Sequence, residues 1–88
     1  MIRLTGTLTC AQHEAGAVRD ALPEHIRLTR AEPGCLSFDV TERAPGRFAV
    51  SEAFTDRAAF DAHQARTRAS AWWRLTGHMA RDFTLAGE

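Results

Sequence analysis

Within four residues, Glu32-Pro33-Gly34-Cys35, the chain stops one kind of secondary structure and starts another. Pro33 lacks an amide hydrogen and pushes its predecessor out of helical geometry, while Gly34 accepts the left-handed turn conformation. Directly afterwards, Leu36-Ser37-Phe38-Asp39-Val40-Thr41-Glu42 alternates apolar and polar residues, the pattern of a half-buried strand. Arg43-Ala44-Pro45-Gly46 reads as a turn, and Arg47-Phe48-Ala49-Val50-Ser51-Glu52-Ala53-Phe54 alternates again. Two such strands joined by a short loop pair as an antiparallel hairpin. If Glu42 lies opposite Phe48, then Val40 meets Val50 and Phe38 meets Glu52.

The flanking segments complete the order. Ile2 to Cys10 alternates as a first strand, with Ile2, Leu4, Leu8 and Cys10 on one face and Arg3, Thr5, Thr7 and Thr9 on the other. From about Glu14 to Arg30, Val18, Leu22, Ile26 and Thr29 form a helical stripe, with Pro23 predicting a kink or a restart. Thr55 and Asp56 offer an N-cap to a short helix over Arg57–His63. A further helix is predicted from about Ala65 to Thr76, stopped by Gly77, and then a last strand over Met79–Leu85. The predicted plan is β-α-β-β-α-(α)-β. It is an α+β, ferredoxin-like split βαβ: a four-stranded antiparallel sheet with helices on one face.

The chain's 88 residues make one domain, 1–88, without linker or repeat. A chain of this size buries only about 60 % of its unfolded surface, so a partner subunit would stabilise it. Eleven basic residues balance eleven acidic ones with no run of either sign, which argues against nucleic acid and anionic membranes as partners. No apolar stretch approaches the roughly 18 residues of a membrane span, and no signal-peptide core is visible, so a soluble, cytoplasmic protein is expected. Every basic residue is Arg, and Lys, Asn and Tyr are absent, which removes those three side chains from any catalytic scheme. Cys10 and Cys35 form no Cys-x-x-Cys pair and read as small buried thiols in two strands.

With Leu36, Phe38, Val40, Phe48, Val50 and Phe54 turned to the helices, the opposite sheet face carries Thr5, Thr7, Thr9, Ser37, Asp39, Thr41, Ala49, Ser51 and Ala53. Those small or β-branched side chains suit a solvated face. They also suit a second sheet in close approach, and a homodimer joined sheet to sheet is the favoured reading.

The anomaly on the inner face is Glu52. Opposite Phe38 it is desolvated, which raises its pKa; it serves either as a base for a phenolic hydroxyl or as a structural carboxylate held by an amide, Arg or His. His63 shares a helix face with Ala59 and Phe60, points over the sheet toward Glu52, and reads equally as a proton acceptor or a satisfied core histidine. Trp72 and Trp73 stand about 100° apart on a helix and supply core packing or an aromatic wall. Arg74 and Arg81 read either as holders of an oxyanion or, the favoured reading, as surface residues. His13, His25 and His78 share no ligand spacing, so no metal site is read.

Glu32-Pro33-Gly34-Cys35-Leu36-Ser37-Phe38 closely resembles the core signature of the antibiotic biosynthesis monooxygenase domain family. The Arg47–Phe54 strand with its Glu, and Ala58-Ala59-Phe60-Asp61-Ala62-His63, are similar to further family segments at matching spacing. The resemblance implies ferredoxin-like chains that dimerise into an α/β-barrel. It also implies cofactor-independent oxygenases of quinols, anthrones or polyketide-like polyphenols, working without metal, flavin or haem. Relatives that act on polyketides place an Asn, a Trp and an Arg around the substrate, and haem-degrading ones an Asn, a Trp and a His. This chain has no Asn, so neither set transfers whole. The expected function is a monooxygenase in which His63, with Glu52, deprotonates an electron-rich aromatic and molecular oxygen accepts its electrons. Phe38, Phe54, Trp72 and Trp73 are the expected walls of the substrate site. The alternative is a non-catalytic dimer that binds a small apolar ligand or serves as an accessory subunit.

Overall fold

A computed structural model describes residues 1–87. Strand β1 (Ile2–Thr9) leads through a 3-10 turn to helix α1 (Ala15–Arg30), strands β2 (Cys35–Ala44) and β3 (Arg47–Phe54), helices α2 (Arg57–Arg68) and α3 (Ala71–Thr76), and strand β4 (Ala80–Gly87). The sheet order is β2-β3-β1-β4 with every neighbour antiparallel. This is the predicted α+β, ferredoxin-like arrangement, in which β3 lies between the two strands of the split βαβ unit. The core is built from Ile2, Leu4 and Leu8 of β1, Phe48, Val50 and Phe54 of β3, and Val18, Leu22, Phe60, Trp72 and Met79 from the helical layer and its approach to β4.

The hairpin register is the predicted one: Glu42 lies opposite Phe48, Val40 opposite Val50, and Phe38 opposite Glu52. The expected inward face is corrected at one end. The register shifts between Cys35 and Ser37, so Leu36 is an extra residue in a β-bulge and is 57 % exposed, while Cys35 pairs with Phe54 and packs against the core. A bulge turns the strand by one residue, which period-two reading does not register. β2 also runs to Ala44, reducing the turn to Pro45-Gly46. Ala53, expected on the open face, is buried by its own chain, and both cysteines are half-buried, Cys10 one residue beyond β1.

Helix α1 runs through Pro23 without interruption. Its buried stripe is Ala15, Val18, Leu22, His25 and Thr29; Ile26, expected in that stripe, is half-buried and packs against the core from its edge, and His25 joins it on the inner face. The second helical region divides after Arg68, not after His63 as expected. Ser70 accepts from Trp73 N and donates to Thr67 O, capping the start of α3 while closing α2. Asp56 caps α2 as predicted, its carboxylate accepting from Ala59 N. Gly77 ends α3 in right-handed geometry, φ −60°; a Cβ there would lie 2.8 Å from Trp73 O. Gly34 takes the left-handed turn at φ 86°, closely packed against Ala59 and Thr55. Among the described residues no helix is long and apolar enough to cross a membrane.

Candidate active site

The bulge and the α2 cap converge on one point between helices and sheet. β3 carries Glu52 inward, β2 sets Phe38 beside it, and α2 presents Phe60, His63 and Thr67 from one face. His63 is 3 % exposed, with its ring 4.9 Å from Phe54 and 5.7 Å from Phe38. Its Nε2 lies 3.7 Å from Glu52 Oε1 and 3.5 Å from Thr67 Oγ1.

The partner that orients His63 is Glu32, the first residue of the turn signature. His63 Nδ1 is 3.0 Å from Glu32 Oε1 and 3.3 Å from Oε2, and Arg66 Nε donates to the same carboxylate. A carboxylate only accepts, so Nδ1 carries the ring hydrogen and Nε2 holds the lone pair. The turn thus also holds the imidazole, beyond the stop and start of secondary structure that its sequence shows. Glu32 and His63 are 31 positions apart, and no local pattern links them. Only the docking of α2 on the start of β2 brings them together.

Burial pushes the Glu52 carboxyl up to about 7, and the nearby Glu32 charge adds to the rise. Burial likewise holds His63 below the ordinary imidazole value, against the opposing pull of Glu32. Burial thus favours the neutral form of both groups, the carboxyl protonated and the imidazole unprotonated.

They open onto a cavity of about 220 Å³. Of the residues expected there, Phe38, Glu52, His63, Trp72 and Trp73 line it. Phe54 does not: it is fully buried behind His63 and acts as the imidazole's backing. Phe83, from β4, lines the cavity in its place. Both tryptophans contribute, Trp72 from the buried stripe of α3 and Trp73 from its half-buried flank.

Two further lining residues stand apart from the expectations. His25 is 5 % exposed and stacks on Trp72 at 4.5 Å, nearly parallel, and burial lowers its pKa to about 3. Its place in the 15, 18, 22, 25, 29 stripe of α1 is the sequence signal that identifies it. Arg81, expected on the surface, is half-buried in the cavity wall, whereas Arg74 is exposed. Among the described residues, no three His, Cys, Asp or Glu side chains gather as a metal ion requires.

A model of the antibiotic biosynthesis monooxygenase family matches residues 1–75. The chain belongs to that family. Among solved structures it is similar to Rv0793 from Mycobacterium tuberculosis, with 25 % identity over 99 % of this chain and 93 % of that one and a TM-score of 0.79. It is also similar to a protein of Deinococcus radiodurans provisionally named an antibiotic biosynthesis monooxygenase, at 28 % identity over 100 % and 94 % of the two chains, TM-score 0.78. A Nitrosomonas europaea protein at 23 % identity, covering 100 % of this chain and 98 % of its own with a TM-score of 0.81, shares the fold. A comparison with curated proteins finds no match. Glu32, Phe38, Glu52, His63, Trp72 and Trp73 lie inside the segment that defines this family member; Arg81 and Phe83 lie beyond it.

Proposed function

We propose that this family member is a cofactor-independent monooxygenase that oxidises a small electron-rich aromatic with molecular oxygen. The observation that carries the reading is the Glu32–His63 dyad, whose Nε2, within 3.5 Å of Thr67 Oγ1, stands at an aromatic-walled cavity beside a carboxyl that titrates near 7. His63 takes the proton of a phenolic hydroxyl. The resulting anion gives one electron to oxygen, and the radical pair joins at a ring carbon ortho or para to that hydroxyl. The peroxide formed takes back a proton from His63 or Glu52. Loss of the hydrogen on that carbon then breaks the O–O bond, leaving a carbonyl and one water. One oxygen atom enters the substrate, the other leaves as water, and the substrate supplies every electron.

Size narrows the substrate. A cavity of about 150 Å³ accommodates benzene, so about 220 Å³ suits one or two fused rings better than the three of an anthrone. A second copy of the chain would cover the Thr- and Ser-bearing sheet face, where Thr5, Thr9 and Thr41 are exposed.

Oxygen uptake with one- and two-ring hydroquinones tests the reading. Wild type consumes oxygen, His63→Ala loses about 10²–10⁴-fold in rate, and Glu32→Gln, which lets Nδ1 hold either tautomer, loses less. No uptake from any of these substrates, or uptake untouched by His63→Ala, overturns it.

A further inference from the structure

The chain as a whole is neutral, but the cavity is not. Its charged lining residues are Glu52, Arg68 and Arg81. Glu52 carries a proton for much of the time near neutrality, so the balance there is positive. Neither arginine makes an ion pair among the described residues.

Arg81 matters most, because a half-buried cation normally has an anion beside it. Its Nη1 donates to Thr76 O at 2.8 Å and Met79 O at 3.3 Å, and its Nη2 to Thr76 Oγ1 at 2.8 Å. Those neutral acceptors fix the guanidinium 4.7 Å over the Trp73 ring but leave its charge without an anionic partner among the described residues. Arg68 approaches the same ring at 5.8 Å from exposed ground. The other arginines without a carboxylate (Arg3, Arg43, Arg47 and Arg74) are all exposed, where water screens them.

A second polar group in the cavity wall also lacks a partner. His25 has no hydrogen bond to either ring nitrogen among the described residues, and its Nδ1 is completely buried. An imidazole nitrogen left unmet indoors is costly.

We propose that the cavity takes an aromatic carboxylate, its ring against Trp72 and Trp73 and its acid group on Arg81, with Arg68 closing over it. The charges fix the orientation: a carboxylate beside His63 would approach the Glu32 charge, so the acid lies at Arg81 and a ring hydroxyl reaches His63 Nε2. This names the substrate class of the proposed monooxygenase, a hydroxyaryl acid of one or two rings, and rests on that reading.

The test is calorimetric binding of 6-hydroxy-2-naphthoate and of 2-naphthol to the full chain near neutral pH. Wild type prefers the acid about tenfold or more, as a charge-assisted hydrogen bond implies, and the preference shrinks as salt rises. Arg81→Gln abolishes the preference while 2-naphthol still binds, Arg81→Lys restores part of it, and Arg74→Gln leaves it unchanged. Arg68→Gln, on exposed ground and safe for folding, lowers it severalfold. Equal wild-type affinity for the two compounds overturns the proposal, as does an equal loss of both in Arg81→Gln, which marks Arg81 as only a cap for α3. Binding of 2-naphthol without acid preference leaves the monooxygenase reading standing; binding of neither compound removes both.

Discussion

Replacing Glu52 by Gln removes a group whose proton affinity folding has changed, and the cost of that change can be worked out. The carboxyl moves from 4.5 to about 7, chiefly through burial, and the side chain is only 8 % exposed, so solvent screening offsets little. Each unit corresponds to about 1.4 kcal/mol, so the shift is worth roughly 3 kcal/mol. The sign follows from proton counting. Below 4.5 the carboxyl is protonated in both states and contributes nothing. Between 4.5 and about 7 the unfolded chain has released the proton while the native state keeps it, so stability falls as pH rises. Above about 7 the loss is complete. Gln cannot titrate, so Glu52→Gln gains on wild type by about 2–3 kcal/mol between roughly pH 5 and pH 8.5. Urea unfolding of both proteins across that range, at fixed protein concentration, reads the difference directly. A gap that stays flat with pH means that Glu52 titrates as an ordinary surface carboxylate, and the argument for a poised acid beside His63 fails.

Two other substitutions probe the same architecture. His25→Phe keeps the ring stacked on Trp72 but removes a base that folding holds neutral. The wild-type imidazole, lowered from 6.5 to about 3, makes the native state lose stability as pH falls below 6.5, so the variant gains on wild type by about 3 kcal/mol near pH 4. Thermal melts at neutral and acid pH that show no such gain refute that reading. Leu36→Ser, at the bulge, changes unfolding free energy by no more than about 0.5 kcal/mol, whereas Phe38→Ala costs about 3–5 kcal/mol. Similar costs in denaturant titrations place both residues in the core and refute the bulge.

Much of the frame was legible because β-pairing obeys a local rule. The alternation over 35–42 and 47–54 carried the hairpin, its register and the inward turn of Glu52 with no knowledge of the rest of the chain. The Phe60/His63 spacing on a helix put the imidazole over the sheet for the same reason. The limits of that rule show at Leu36. A bulge breaks period two without changing the apolar pattern: Cys35, which packs inward where Leu36 was expected, is apolar too, so the letters do not show which of the two faces the core. The helix break was misplaced for a related reason: Ser70 works as a cap only when the chain beyond it turns, and the letters 64–70 alone do not show that turn.

The site itself divides along the same line. The sequence by itself determined the fold class, the family signature, and the candidates Glu52 and His63, because each follows from neighbours a few residues away. Tertiary structure alone decided that Glu32 orients His63, that His25 and Arg81 enter the cavity wall, and that Phe54 stands behind the imidazole instead of lining the cavity. These are contacts between segments up to about 50 positions apart. No periodicity encodes them; they exist only once α1, α2, α3 and β4 have docked on the sheet and removed the intervening water.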